Sequence, residues 1–437
     1  MDIHIITYGC AANQNNSEIL AGILKSSGHN LTNNKELADV IILNTCVVKQ
    51  KTENKIKRQI QDLEKENKGK NKLLIITGCM PETDAKQIKQ LNENTILLGT
   101  HHFKNINNII KSYKENKLGW EEQEEFISHR NETKLNLPKI PKNKLISITQ
   151  ISEGCYGNCT YCKTRLAKGK LFSYSQDEIL SSIESDLKNG AKEVWITSQD
   201  CANYGLDQEN KEHKLPELLD KILSLKHRFK LRLGMSDPDN IYPILDKLIP
   251  IYKNKKMYKF LHIPIQSASN NILSDMKRKY KIEQVEEIIK EFRKEIPDIT
   301  IATDIIIGYP TEKDKDFQES LDFIKKFKPD VFNLSKMSIH KGTLAEKLKP
   351  LLINTISKRT TEIMKIHQET ARQNKQKFKD KEIKVFVNKK LEGSLYEARD
   401  ENYNIILINS NDKSILGNNI DVMIKQVGVH HLIGEMI

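Results

Sequence analysis

Long hydrophobic runs are missing from this chain of 437 residues. None approaches the roughly 20 apolar residues that span a bilayer, so no membrane partner is expected. Cysteine is scarce, at seven residues, too few and too clustered for a disulfide framework. That scarcity points to metal chemistry in a reducing, cytoplasmic setting. A leader is not expected either, because Met1-Asp2-Ile3-His4-Ile5-Ile6-Thr7-Tyr8 reads as a strand without a basic start. Acidic residues are in deficit: 58 Asp and Glu against 70 Lys and Arg give a formal net charge of +12. The surplus favours a polyanion such as RNA, although abundant Lys, Asn and Ile also follow from an AT-rich genome. The length accommodates roughly two to four domains with cores of their own.

The cysteines that are present form two sets. Glu153-Gly154-Cys155-Tyr156-Gly157-Asn158-Cys159-Thr160-Tyr161-Cys162 carries three of them at CxxxCxxC spacing in a loop with two glycines. Three soft thiolates so spaced suit one iron–sulfur cube and leave one iron open. Zinc would require a fourth ligand, and no Cys or His follows closely after Cys162. The second set is dispersed. Ile3–Tyr8, Val40–Asn44 and Leu73–Thr77 read as strands, alternating with helices at Ser17–Ser27, Thr52–Glu66 and Asp84–Leu91. That alternation predicts a small parallel-sheet α/β domain. Cys10, Cys46 and Cys79 each follow one of these strands, at the edge where such sheets gather their sites. A second three-thiolate cluster is the expectation, with buried structural cysteines as the alternative.

Further along come an acidic run, Glu121-Glu122-Gln123-Glu124-Glu125, and a stiff connector, Leu137-Pro138-Lys139-Ile140-Pro141. Strands are then predicted at Leu145–Ile151, Glu193–Ser198, Phe229–Met235, Phe260–Ile265, Thr300–Ile307 and Val331–Met337, with helices between. Ser175 with Glu178 marks a capping box, and Gly190 the stop of that helix. Near the end, Glu382–Val387, Gly393–Ala398, Asn404–Ile408 and Ile420–Val427 read as short strands of a small antiparallel β barrel or sandwich. Cys201 has no cysteine at matching spacing and reads as a small buried residue.

The loop around Cys155, Cys159 and Cys162 resembles the cluster loop of radical S-adenosylmethionine (radical SAM) enzymes. Three further segments extend the likeness: Tyr8-Gly9-Cys10-Ala11-Ala12-Asn13-Gln14-Asn15-Asn16-Ser17-Glu18, Asn44-Thr45-Cys46-Val47-Val48 and Gly78-Cys79-Met80. With them, essentially the whole chain resembles the methylthiotransferase family of those enzymes. The resemblance implies an N-terminal small parallel-sheet α/β domain over 1–120, a linker over 121–143 and a central partial (βα)6 radical SAM barrel over 144–371. A C-terminal TRAM-like small antiparallel β domain that binds RNA would occupy 372–437.

Two 4Fe-4S clusters and S-adenosyl-L-methionine (SAM) are the cofactors so implied. In that family the cluster on Cys155, Cys159 and Cys162 reduces SAM to a 5′-deoxyadenosyl radical, and the auxiliary cluster on Cys10, Cys46 and Cys79 holds the sulfur to be transferred. Chemistry in such barrels sits at the carboxyl ends of the strands. Residues there become candidates for SAM: Gln199 and Asp200 for its ammonium, Arg232 at the same mouth, Gln266 and Ser267 for carboxylate or ribose, Gly308 for adenine. Each also reads as a turn or cap residue. Met276-Lys277-Arg278-Lys279-Tyr280 reads equally as a family element and as a solvated helix end.

The stretch Tyr161-Cys162-Lys163-Thr164-Arg165-Leu166-Ala167-Lys168-Gly169-Lys170-Leu171-Phe172-Ser173-Tyr174 resembles one subgroup in particular. That is the archaeal and eukaryotic subgroup acting on N6-threonylcarbamoyladenosine next to the anticodon of tRNA. Lys168 stands where its pattern usually has Arg. Lys163, Arg165 and Lys168 read as a basic rim for the threonyl carboxylate and tRNA phosphates, and Tyr396 and Tyr403 as residues on which RNA bases stack. The partners implied are the tRNA anticodon loop and an unidentified electron donor. Rival readings are action on isopentenyladenosine in tRNA, sulfur insertion elsewhere, and an iron–sulfur RNA-binding protein without catalysis.

Overall fold

The computed structural model describes residues 1–67, 72–115 and 126–437, so the acidic run at 121–125 lies outside the described residues. Strands β1 (Asp2–Thr7), β2 (Asn30–Leu31), β3 (Val40–Thr45), β4 (Leu73–Gly78) and β5 (Ile96–Gly99) form one parallel sheet in the order β2-β1-β3-β4-β5. Strands β3 and β4 are buried at every position, as expected of parallel strands covered on both faces. Ile3, Val40, Ile42 and Ile75 pack under helices Ala11–Ser26 and Ile106–Lys114. Ile41, Leu43, Leu74 and Ile76 pack under helices Gln50–Asn67 and Cys79–Leu91.

Two helices begin earlier than their apolar periodicity predicts. The first starts at Ala11 rather than Ser17, because its opening turns bury asparagines instead of aliphatics. Asn13 Nδ2 donates to Tyr8 O (2.8 Å) and Thr45 O (2.7 Å), and Asn15 Nδ2 donates across to Ile148 O (2.7 Å). The other starts at Cys79 and is kinked at Asp84 (φ −133°), so the predicted Asp84–Leu91 is the part beyond the kink. The connector is pinned to the first helix: Ile140 N–H donates to Glu18 O (2.9 Å), and a Cβ on Gly22 would lie 2.1 Å from Pro138 O.

The central unit holds β6 (Ile146–Gln150), a small antiparallel pair β7 (Ser152–Glu153) and β8 (Phe172–Ser173), then β9 (Glu193–Thr197) and β10 (Lys230–Leu233). Strands β11 (Phe260–His262), β12 (Thr300–Ile307) and β13 (Val331–Lys336) follow. Two parallel triplets, β6-β9-β10 and β11-β12-β13, meet through Tyr258 N–H to Leu231 O (2.9 Å) and Ser236 N–H to His262 O (3.0 Å). The result is six parallel strands in sequence order, an open partial barrel. Helices Gln176–Lys188, Leu215–Ser224, Ile282–Glu295 and Asp314–Phe327 cover its outer face over one continuous core. The predicted cap is present: Ser175 Oγ accepts from Glu178 N–H (3.3 Å), and the chain turns away at Gly190 (φ +104°).

The C-terminal unit has five strands, β14 (Glu382–Lys390), β15 (Leu395–Arg399), β16 (Ile405–Asn409), β17 (Asn419–Val427) and β18 (Leu432–Met436), closed in the order β14-β15-β16-β18-β17. Every pair is antiparallel except β16 with β18, a fifth-strand closure absent from the sequence pattern. It docks against the amino ends of the barrel strands, opposite the cysteine loop. Lys259 N–H donates to Glu401 O (2.8 Å), and buried Glu193 accepts from Tyr258 Oη (2.6 Å), Asn388 Nδ2 (3.0 Å) and Trp195 Nε1 (2.9 Å). Among the described residues no helix is long and apolar enough to cross a membrane.

Candidate active site

The N-terminal trio is brought together by strand adjacency, since β1, β3 and β4 are neighbours and each is followed within three residues by a cysteine. Gly9 (φ +110°) precedes Cys10, and a Cβ there would sit 2.9 Å from Cys46 Cβ and 3.1 Å from Cys46 Sγ. Only glycine lets the two loops touch. Gly78 (φ +88°) serves likewise, since its Cβ would lie 2.4 Å from Thr45 O. Cys10 caps helix Ala11–Ser26 and Cys79 opens helix Cys79–Leu91. Two helix N-termini therefore aim their positive dipole ends at the trio, which favours thiolate. Burial works the other way, pushing Cys46 up to about 11 and Cys79 to about 12, while the Lys168 ammonium draws both down.

The second trio sits on the loop after β6, clamped at its foot by the β7–β8 pair. Cys155 Sγ accepts from Gly157 N–H (3.3 Å), and a Cβ on Gly157 would touch both Cys155 Sγ (3.4 Å) and Cys159 Sγ (3.8 Å). Burial pushes the Cys155 and Cys162 thiols up, and the neighbouring thiolates push in the same direction. Arg278 answers that charge. Its Nη1 donates to Cys159 Sγ (3.0 Å), its Nη2 meets Asp237 Oδ2 (2.5 Å), and it stacks over Tyr280 (5.1 Å). The segment read equally as a solvated helix end thus contains a buried cation against the cluster loop, a position only tertiary contact reveals. Asn203 Nδ2 reaches Cys155 Sγ (3.9 Å).

All seven cysteines are free. Among the described residues no three His, Cys, Asp or Glu side chains stand close enough to grip a single metal ion. Two sets of three thiols, each beside positive charge, fit a larger anionic group of the iron–sulfur kind.

The SAM candidates separate on inspection. Gln199 Oε1 is buried without a hydrogen-bond partner, as are Arg232 Nε, Asn203 Oδ1 and Ser236 Oγ, all after β9 or on and after β10. Asn203 and Ser236 were not singled out from sequence, because a lone Asn or Ser after a strand reads as a turn. Asp200 is different. Its carboxylate already accepts from Ala202 N–H (3.0 Å), Asp237 N–H (2.9 Å) and Asn240 Nδ2 (2.6 Å), so it organises the loop instead of offering a free acceptor to an ammonium. Burial, then the neighbouring Asp237 carboxylate, push it up to about 7.

Arg232 lies over the rings of Phe260 (5.1 Å) and Tyr403 (5.7 Å), toward the floor of the barrel. Gln266 holds a left-handed backbone (φ +61°) and locks the end of β11 to β12 through N–H to Asp304 O (2.8 Å). Ser267 is buried, with its Oγ accepting from Ser269 N–H (3.2 Å). Gly308 is required by packing. Ile356 would lie 2.6 Å from a Cβ there, so the space assigned to adenine is filled by helix Ile353–Gln376. Another lumen pair is new: His262 Nε2 and Asp304 Oδ2 lie 2.5 Å apart and partly open.

The basic rim is also revised. Lys163 is buried against Asp84 Oδ2 (2.6 Å) and Glu53 Oε2 (3.2 Å), and Lys168 against Thr100 Oγ1 (2.6 Å) and Glu153 Oε1 (3.2 Å). Both cations bind the N-terminal sheet to the cluster loop and are closed to phosphate. Arg165 Nε donates to Gly157 O (3.2 Å). Tyr396 is in the core of the C-terminal barrel, and Tyr403 packs on Tyr258 (4.9 Å) and Phe260 (4.9 Å), so neither ring is free to stack on a base. Cys201 lies fully buried in the barrel core, with Ser198 Oγ 3.6 Å from its Sγ.

Two family descriptions match the chain: "Uncharacterized protein family UPF0004" over residues 2–99 and "Radical SAM superfamily" over residues 149–324. A Pyrococcus horikoshii protein named "Probable threonylcarbamoyladenosine tRNA methylthiotransferase" is 35% identical over 440 residues, covering 100% of this chain and 99% of the relative. The Homo sapiens "Threonylcarbamoyladenosine tRNA methylthiotransferase" is 31% identical over 443 residues, covering 100% of this chain and 74% of the relative. Among solved structures, the radical SAM methyltransferase TsrM from Kitasatospora setae, with cobalamin and a 4Fe-4S cluster bound, aligns with a TM-score of 0.57. Identity is 12%, over 79% of this chain and 73% of that one, a likeness of fold. The radical SAM match implies a 4Fe-4S cluster and SAM. Identity above 30% along the full length places this chain in the threonylcarbamoyladenosine tRNA methylthiotransferase family of radical SAM enzymes.

Proposed function

We propose that this chain adds a methylthio group to N6-threonylcarbamoyladenosine next to the anticodon of tRNA, as a cytoplasmic enzyme served by an unidentified electron donor. The relatives' names supply the substrate. Cys155, Cys159 and Cys162 hold the cluster that binds SAM. Cys10, Cys46 and Cys79 would hold a second 4Fe-4S cluster, which would carry the sulfur to be transferred. When bound, these groups supply the one-electron reduction of SAM and the sulfur that polypeptide side chains lack.

The observation that carries the reading is the seam between the trios. Glu153, two residues before Cys155, binds Lys168, while Lys168 Nζ donates to Thr100 Oγ1 (2.6 Å) just past β5 and its neighbour Ala167 packs in the same buried cluster as Cys46 and Cys79. Two thiol sets on separate sheets thus share one buried junction. Around it the chain's own residues position and exclude. Gln199, Asn203 and Ser236 offer unpaired polar atoms to SAM at the strand ends. Gln266 and Ser267 fix the loop beside them, and Arg278 balances charge at Cys159. Burial keeps water from a reactive radical.

Mass analysis of tRNA nucleosides from cells with and without the gene tests the substrate. The reading expects one methylthio group on threonylcarbamoyladenosine only when the gene is present. Unmodified threonylcarbamoyladenosine in both, or a methylthio gain on isopentenyladenosine instead, would refute it.

A further inference from the structure

The barrel strands turn alternate residues inward. Leu231, Leu233, Leu261, Ile301 and Ile305 lie in the core under the outer helices, so the residues between them line the lumen. Tyr258, Phe260 and Ala302 form its floor with Tyr403 of the C-terminal barrel. One layer above, Trp195, Arg232, His262, Asp304 and Asn333 face the same space, and all five are only half-buried. Strand register sets them side by side, Arg232 opposite Trp195 and Asp304 opposite Asn333. Core packing has not filled this layer. It is a polar chamber below the strand ends that carry the cysteine loop.

The charges in the chamber are unevenly matched. Asp304 Oδ2 is held by His262 Nε2 (2.5 Å), with the two side chains still 29% and 15% exposed. Arg232 has no such partner. Its guanidinium lies over the rings of Phe260 (5.1 Å) and Tyr403 (5.7 Å), its Nε is buried without a hydrogen bond, and no carboxylate among the described residues pairs with it. A guanidinium laid on aromatic faces keeps its fork of N–H donors, which a planar carboxylate satisfies two at a time. N6-threonylcarbamoyladenosine brings such a group in its threonyl carboxylate. The lysines expected from the sequence to receive it are closed, Lys163 by Asp84 and Glu53 and Lys168 by Glu153.

We propose that Arg232 is the specificity residue for the modified base, its guanidinium binding the threonyl carboxylate of N6-threonylcarbamoyladenosine drawn into the barrel lumen. The inference rests on that nucleoside being the substrate. It adds a physical reason for the choice, since isopentenyladenosine has no charge for Arg232 to meet and would leave the cation desolvated and unpaired. Arg232 makes and breaks no bond; it holds the base by the end of its modification.

The test pairs a change in the ligand with a change in the protein. The reconstituted full chain is titrated with an anticodon stem–loop RNA bearing N6-threonylcarbamoyladenosine, and with the same RNA carrying the methyl ester of the threonyl group. A charge-assisted pair of contacts predicts that the parent chain binds the acid about 10- to 100-fold more tightly than the ester. Arg232→Gln should bring the two affinities together by weakening the acid, the non-additivity expected of groups in contact. Arg232→Lys should keep a smaller preference, having the charge without the fork. A preference undiminished in Arg232→Gln, or in Arg232→Lys where the former does not fold, overturns the inference. So does loss of SAM affinity in Arg232→Gln with the acid preference intact, which would put the cation at the cofactor. A parent chain that binds acid and ester alike, yet methylthiolates the acid form, overturns the inference and leaves the substrate reading standing. A parent chain that methylthiolates neither RNA overturns both.

Discussion

Replacing Lys163 by Met probes the junction on which the two-trio account depends. Lys163 follows Cys162 directly, and its ammonium lies 2.6 Å from Asp84 Oδ2 and 3.2 Å from Glu53 Oε2. At an effective dielectric of about 20, each attraction is worth roughly 5–6 kcal/mol. Desolvation of three charged groups offsets much of that, the side chains of Lys163 and Glu53 being 4% exposed and that of Asp84 12%. What remains decisive is asymmetry. Lys163→Met strands Asp84 and leaves Glu53 with Lys57 (2.8 Å) and the His340 ring (3.7 Å). Removing one member of a buried ion pair costs about 3–5 kcal/mol. Urea unfolding followed by far-ultraviolet circular dichroism should show that loss in the transition of the N-terminal unit. The triple variant Lys163→Met, Asp84→Asn, Glu53→Gln should recover about half of it, since no buried carboxylate is then left uncompensated. The loosened junction should keep SAM cleavage and lose methylthio product. A loss below about 0.5 kcal/mol in the single variant, the range of an ordinary surface change, would refute the buried-pair reasoning.

Other expectations are simpler. Cys159→Ala should abolish 5′-deoxyadenosine formation by dithionite-reduced protein, whereas Cys46→Ala should keep it and lose product; equal loss in both would contradict the division between trios. Gly308→Ala must place a Cβ 2.6 Å from Ile356 at φ +86°, costing about 2–4 kcal/mol from strain and overpacking together. An unchanged unfolding midpoint would show that the helix Ile353–Gln376 does not fill that space. For Glu82, burial raises the carboxyl from 4.5 to about 8. Its favourable contribution is full below pH 4.5 and is lost as pH rises toward 8. Glu82→Gln should flatten the stability profile across that window, and a profile parallel to that of the parent would exclude Glu82 as its source.

The strand-and-helix order was legible because parallel strands buried on both faces are written as short Ile, Leu and Val runs, and Thr300–Ile307 keeps its predicted bounds. The N-terminal cysteines were legible for a related reason: Cys10, Cys46 and Cys79 each lie within three residues of the end of a strand. Polar residues buried by distant partners were not. Asn13 and Asn15 occupy the hidden face of a helix that hydrophobic periodicity starts only at Ser17. Lys163, Lys168 and Arg278 look solvated in a local window, yet each is matched by a carboxylate or thiol from another element. Tyr403 reads as an exposed aromatic until the barrel floor closes over it. Local composition records which groups are charged or apolar; only the tertiary fold decides which of them meet.

Iron content per folded chain after anaerobic reconstitution tests the central claim most directly. Two thiol trios, each holding a four-iron group, predict about eight irons per chain, falling to about four in a Cys10→Ala, Cys46→Ala, Cys79→Ala variant. About four irons in the parent, unchanged when the N-terminal trio is removed, would contradict it.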